Sequence, residues 1–243
     1  MSRTAAALII GNEILSGKIQ DINLLELARV LRSLGVALRR VVIVPDELEA
    51  IAAEVSVLAS AHDYLFTSGG VGPTHDDVTM EAVARAFDVP LVSHPDIEAM
   101  LRKHHRDATN EGHLRLARVP EGAKLVFTAE VPWPATIMRN VWILPGVPEV
   151  FRMKIEIIRE HIGADAPFLT RAVFTGMEEA ELTPLLDEIV ARHGAVDVGS
   201  YPTWSESRYR TKVTFDARDS RVLERAVEDF LKRLPEGEPR WLE

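Results

Sequence analysis

The sequence predicts an α/β protein: a mostly parallel sheet covered on both faces by helices, followed by a second, smaller α+β unit. Two observations carry this reading. In the first half, short apolar runs alternate with amphipathic helices, and that alternation calls for right-handed crossovers between parallel strands. After about residue 166 the order changes to strand, helix, strand, strand, helix. The 243 residues suit one medium and one small domain, at roughly 100–200 residues per domain. We therefore divide the chain into 1–166 and 167–243.

The elements follow in order. Ala5–Ile10 is apolar on both faces and reads as a buried strand. Leu24, Leu27, Leu31 and Leu34 recur at helical spacing, and Gly35 is placed to end that helix. Val41–Val44 is a second strand, stopped by Pro45-Asp46. Ile51, Ala52, Val55 and Leu58 form the inner stripe of the next helix, and Tyr64–Thr67 is a third strand. A helix over 79–87 follows, and His94-Pro95 opens another that reaches about His105. The stretch after it is polar, and Val131-Pro132-Trp133-Pro134 reads as a loop. Val141–Leu144 is a fourth strand, and a helix over 149–161 closes the first unit. The boundary falls in Gly163-Ala164-Asp165-Ala166-Pro167. Beyond it we expect strands at 171–175, 196–201 and 209–215, with helices at 179–192 and 222–234.

Composition narrows the function classes. There are 28 Lys+Arg against 37 Asp+Glu, a net charge of −9. That balance argues against nucleic acid or an anionic membrane as partner, since both select basic faces. The chain has no cysteine, which removes disulfides, thiolate metal sites and a Cys nucleophile. The N-terminal apolar run is cut short by Gly11-Asn12-Glu13, too early for a signal peptide. We expect a soluble, cytoplasmic protein.

Ligands of open α/β sheets sit beyond the carboxyl ends of the strands, which directs attention to three loops. The first candidate is Thr67-Ser68-Gly69-Gly70-Val71-Gly72-Pro73-Thr74-His75-Asp76-Asp77-Val78-Thr79. Its glycines let backbone N–H groups approach a ligand closely, and the helix that follows adds the positive end of its dipole. Ser68, Thr74 and Thr79 add hydroxyls. Asp76 and Asp77 repel a phosphate unless a divalent cation, Mg²⁺ being the usual one, bridges carboxylate and phosphate oxygens. A bland alternative is a tight turn with Asp77 capping the next helix. The run lacks the Walker lysine and the dinucleotide spacing.

The second candidate is the long polar loop from Gly11 to Asn23. In it Asn12 and Glu13 could bind ligand or metal and Lys18 could neutralise phosphate, unless Asn23 merely caps a helix and the rest is surface. Asp46 and the rigid turn Pro145-Gly146-Val147-Pro148 lie at the same sheet edge; Asp46 alone reads as a helix cap, and Gly146 as a close-approach point in a pocket wall. His104, His105 and His113 do not share a helical face at ligand spacing and read as surface residues. His75 is the histidine worth testing. Met80, Met100 and Met153 read as core filler, the four tryptophans as scattered. No G-x-S-x-G elbow occurs.

Taken together, Gly11-Asn12-Glu13-Ile14-Leu15-Ser16-Gly17, Asp21-Ile22-Asn23, the 68–79 run and Leu144-Pro145-Gly146-Val147-Pro148 resemble the molybdopterin-binding (molybdenum-cofactor-biosynthesis, MoaB/Mog-like) domain family. The version they resemble stands at the N-terminus of competence/damage-inducible protein A (CinA), and eukaryotic FAD synthase carries a related domain. The second unit, with Gly199-Ser200-Tyr201-Pro202, is similar to the small domain that follows in the CinA group. The resemblance implies a three-layer αβα fold. It also implies a phosphate-binding role for Gly69, Gly70 and Gly72, and functional carboxylates at Asp77 and Asp46; Ser68, Val71 and Thr74 stand beside them as candidate phosphate contacts, and Asp76 as a further candidate metal ligand. For the CinA branch it implies metal-dependent hydrolysis of nucleotide diphosphates such as ADP-ribose, and association into homo-oligomers, dimers or trimers. Asp76 stands where the adenylyltransferase branch has Arg, Asn12 where the family usually has Asp, and 128–135 replaces a Pro- and Gly-rich stretch. The amidohydrolase domain of CinA is not expected here. Molybdopterin adenylyl transfer and binding without chemistry are the competing readings.

Overall fold

The computed structural model describes residues 3–163, 165–205 and 208–243; Ala164, within the boundary segment named above, lies outside the described residues. The chain divides at Asp165/Ala166 into two units. Their apolar cores share no residue, one set ending at Ile162 and the other beginning at Leu169.

In the first unit, β1 (Thr4–Ile10) is buried over almost its whole length. It leads through a single turn, α1 (Asn12–Leu15), to α2 (Asn23–Ser33), and Gly35, at φ +70°, lets the chain leave that helix. β2 (Ala37–Val44) then pairs parallel to β1, α3 (Leu48–Ala61) crosses over, and β3 (Tyr64–Ser68) pairs with the other side of β1. α4 (Thr79–Ala86) leads to β4 (Leu91–Ser93), α5 (Pro95–His105) and α6 (Glu111–Arg115). The strands β5 (Arg118–Pro120), β6 (Lys124–Val126), β7 (Ala135–Met138) and β8 (Val141–Ile143) follow, and α7 (Pro148–His161) closes the unit.

The main sheet has the order β2-β1-β3-β8-β7-β6. β2, β1, β3 and β8 run parallel, while β7 and β6 run antiparallel to their neighbours. One face packs α2 and α7 through Leu27, Leu31, Phe151 and Ile158. The other packs α3 and α4 through Ile51, Val55, Leu58 and Val83. This is a three-layer αβα arrangement. The helix after β1 covers one face and the helix after β3 the other, so the chain parts between these adjacent strands. A crevice at their carboxyl ends follows from that topology.

The structure adds elements that the sequence pattern hid. β2 starts at Ala37, ahead of the expected Val41, and its register with β1 shifts between Ala5 and Ala6. It is an edge strand, so Arg39 and Arg40 remain in solvent and blur its apolar signature. The loop at 131–134 is present, but β6 and β7 flank it. β7 returns to β8 through Arg139-Asn140, where Arg139 has φ +54° and Asn140 Nδ2 donates to the carbonyls of Ala59 and His62.

The second unit is a four-stranded antiparallel sheet of order β10-β11-β9-β12. It comprises β9 (Leu169–Thr175), α8 (Glu179–Arg192), β10 (Asp197–Pro202), β11 (Thr211–Ala217), α9 (Ser220–Leu231) and β12 (Trp241–Leu242). α8 and α9 supply Leu182, Ile189, Leu223 and Phe230 to a core with Val173, Val213 and Phe215. The short β12 was not legible; it is held by Trp241 stacking on Phe174, ring centres 4.4 Å apart. Among the described residues, no helix is long and apolar enough to cross a membrane.

Candidate functional site

A cavity of about 940 Å³ opens at the carboxyl ends of β1, β3 and β8. That volume lies within the range of ligand pockets, about 300–1,000 Å³. Its wall includes Ser68, Gly69, Gly70, Val71 and Gly72 after β3, Glu13 after β1, Asp46 after β2 and Gly146 after β8. Asp76 and Asp77 face it as well. Four loops far apart in sequence thus converge on one space.

Hydrogen bonds knit these loops together. Asn23 is 3% exposed; its Nδ2 donates to Ser68 Oγ at 3.1 Å and to the Gly146 carbonyl at 2.8 Å. It therefore ties the loops after β1, β3 and β8 together and does not serve as the helix cap. The N-cap position is Ile22, and the first turn of α2 is met by Asp21, whose Oδ1 accepts from Leu24 N at 2.9 Å. Thr79 Oγ1 donates to the Gly69 carbonyl, and Thr79 N to that of Gly70, both at 2.9 Å. Gly69 has φ +113°, and a Cβ there would collide with the Ile10 carbonyl oxygen. Only glycine allows the loop to lie this close to β1. A Cβ at Gly146 would in turn press on Gly69 Cα.

The acidic residues have specific partners. Asp46 Oδ2 accepts from Asn12 N at 2.7 Å, and the N-cap position of α3 belongs to Glu47, so Asp46 is not the cap its position suggests. Asp77 is not a cap either: its Oδ2 accepts from Thr74 N at 2.8 Å and from Thr74 Oγ1, while the N-cap of α4 is Val78. The Thr74 hydroxyl also faces Asp76 Oδ1 at 2.6 Å. This bond, ahead of the backbone N–H of Asp76 itself, holds the Asp76 carboxyl below its ordinary pKa. Two carboxylates are in this way folded back around one loop. The N-terminus of α7 has no side-chain cap, and its first residues Val147 and Pro148 line the cavity. Its unsatisfied N–H groups and positive dipole end favour an anion there.

Other expected site residues sit elsewhere. Lys18 is exposed and absent from the cavity wall, because the turn after α1 carries its backbone N–H back to the Glu13 carbonyl. Asn12 contributes its backbone N–H to Asp46, and its side chain is not in the wall. Thr74 and His75 line a smaller adjoining recess of about 180 Å³. Conversely, the sequence reading missed the far wall. His104 and His105 lie on it with Trp133, the His104 and Trp133 rings meeting edge to face at 5.9 Å. His105 stacks on His113 at 3.8 Å; burial first, then its two histidine neighbours, lower its pKa. Met80 and Met153 line the cavity too. Lys154 belongs to this wall as well: it is 6% exposed, and its Nζ donates to the carbonyls of Trp133 and Pro134 at 2.6 and 2.7 Å.

Fit to a divalent cation can be judged from the donor set. Among the described residues, no three His, Asp or Glu side chains converge as a ready-made metal cage. Asp46 and Asp77 nevertheless face one cavity with oxygen donors only. Mg²⁺ is commonly held by one or two carboxylates, water and substrate phosphate, and these residues fit that mode.

Fold and site define an α/β domain with a ligand-sized cavity where its central strands diverge. Residues 6–164 match the family described as "Probable molybdopterin binding domain", and the chain belongs to that family. Residues 167–240, the second unit, match "FAD synthase, middle domain". A protein of Archaeoglobus fulgidus is 33% identical over 221 residues, spanning 91% of this chain and 93% of the relative. A probable FAD synthase of Caenorhabditis briggsae is 31% identical over 262 residues, 97% of this chain but 50% of the relative. The chain thus spans about half the length of that nematode enzyme. Among solved structures, the protein CinA of unknown function from Thermoplasma acidophilum superposes with a TM-score of 0.61 at 28% identity. The match covers 66% of this chain and 98% of the other.

Proposed function

We propose that the protein binds a nucleotide diphosphate in this cavity and hydrolyses its phosphoanhydride with a divalent cation, ADP-ribose and FAD being the substrate type. The observation that carries the proposal is the convergence of the glycine-rich loop, the uncapped N-terminus of α7 and the carboxylates Asp46 and Asp77 on one cavity. In this reading the backbone of Gly69, Gly70 and Gly72, with Ser68 and Val71, holds the diphosphate, and the N-termini of α4 and α7 offset its charge. Asp46 and Asp77, with Asp76 and Glu13 beside them, would hold Mg²⁺, which when bound would supply Lewis acidity at phosphorus and activate water. Thr74 orients Asp77, Asn12 orients Asp46, and Asn23 fixes Ser68 and Gly146.

A second reading has its own support: the match of residues 167–240 to the FAD synthase middle domain favours adenylyl transfer or flavin-nucleotide binding over hydrolysis. Incubation with ADP-ribose, with FAD, and with ATP plus a pterin or flavin phosphate, each with Mg²⁺, separates the two by product analysis. Water-dependent cleavage to two monophosphates supports hydrolysis. Pyrophosphate release that requires the acceptor supports transfer, and a ligand-induced rise in Tm without product supports binding alone. The chain also assembles with copies of itself in this reading, as a closed dimer or trimer. Leu15, Ile19, Ile22 and Leu25 are exposed apolar side chains on and around α1 and α2, a surface composition that marks interfaces. Light scattering on the purified protein tests the assembly.

A further inference from the structure

We propose that Lys154 is the cation of this cavity, a binding residue whose ammonium contacts a phosphate of the bound nucleotide. The proposal rests on the reading that the cavity takes an anionic ligand. It begins with an imbalance in the fold. Burying an ammonium is costly unless it is paired or hydrogen-bonded, and Lys154 is 6% exposed on α7. Yet among the described residues no carboxylate lies within ion-pair distance of it. Its partners are two carbonyls, those of Trp133 and Pro134. An ammonium has three N–H donors, so one remains, and the side chain lines the cavity.

Two carbonyl dipoles take up two of the three donors without cancelling the charge. Burial accordingly pushes the lysine pKa down, to about 8. An anionic ligand oxygen would supply both the missing partner and the missing charge. Carboxylates in the same wall do not do so: Glu13, Asp21, Asp46, Asp76 and Asp77 all face the cavity without pairing with Lys154. His104 and His105 are the other titratable groups there. On α7 itself, Arg152 is turned to Glu26 at 2.7 Å, outside the role. The cavity is therefore bipolar, with carboxylates suited to a cation at one part and a single ammonium at another. The same two carbonyls belong to the 128–135 stretch, so Lys154 also anchors the loop that presents Trp133. A phosphate held there would raise the lysine pKa, and binding near pH 8 would draw a proton from solution.

Calorimetric titration with ADP-ribose at pH 8, without metal so that nothing turns over, tests this. The diphosphate of this probe carries no group that titrates near pH 8. Titrations in two buffers of different ionisation enthalpy give the proton count. Wild type is expected to take up about half a proton. Lys154→Met should bind at least about tenfold more weakly and take up none. Lys154→Arg, permanently charged, should keep affinity within about threefold yet also lose the uptake, which a purely structural lysine would not produce. Unchanged affinity and uptake in Lys154→Met overturn the proposal while leaving hydrolysis open. Absence of binding in all three proteins overturns it as well. Proton-linked binding followed by no cleavage once Mg²⁺ is added upholds Lys154 and defeats the hydrolase reading.

Discussion

Asn23 shows how much of the site depends on one buried amide. Its side chain spans two loops that lie 45 and 123 residues further along the chain. In Asn23→Leu the Gly146 carbonyl and the Ser68 hydroxyl lose their donor, at a cost of about 1–3 kcal/mol. Denaturant unfolding should show that loss, and ligand affinity should fall with it. Lys154 makes a different prediction. Its folded pKa, about 8, lies below the ordinary 10.5. Between these values the unfolded chain binds the extra proton, so stability should rise with pH across about 8 to 10.5. The burial penalty is fully present below pH 8 and is relieved above it. Unfolding at pH 7.5 and 9.5 should reveal that rise in wild type. In Lys154→Met the pH-dependent rise should vanish. Neither role was legible in the sequence, where Asn23 read as a possible cap and nothing set Lys154 apart within the helix over 149–161. Both are defined by partners that only tertiary folding brings near.

At the scale of elements, legibility followed burial. β1 and β3 are buried between neighbours on both sides, and their uninterrupted apolar runs announced them. The glycine-rich loop was legible for a related reason: backbone placed against the Ile10 carbonyl excludes any side chain. Gly69→Ala tests that directly. It combines a left-handed conformation with a backbone clash, and should cost about 1–3 kcal/mol together with ligand binding, read by thermal shift. β6 and β7 escaped because each is three or four residues long and the intervening loop carries two prolines. Such short antiparallel pairs leave too few residues for a period-2 pattern to register. The far wall of the cavity, with Trp133, His104 and His105, was hidden with them.

For the whole molecule, the change of pattern near residue 166 was readable, because a parallel α/β sheet and an antiparallel α+β sheet space their apolar residues differently. Each unit has its own core, and residues 167–243 expressed alone should melt cooperatively with mixed helix and strand content by circular dichroism. The cavity lies wholly in the first unit. The glycine-rich run was recognisable as a phosphate-type loop and the loops after β1, β2 and β8 as neighbours at the same sheet edge, but their meeting at the parting of β1 and β3 is a property of the strand order. The central claim is that this meeting point performs metal-assisted cleavage through Asp77. The most direct measurement is ADP-ribose turnover with Mg²⁺ by wild type and Asp77→Asn, with matched melting curves. The account predicts AMP and ribose phosphate from wild type, suppression by chelator, and loss of turnover in a folded Asp77→Asn protein. Undiminished cleavage by that variant, or none by wild type under conditions where ADP-ribose binds, would contradict it.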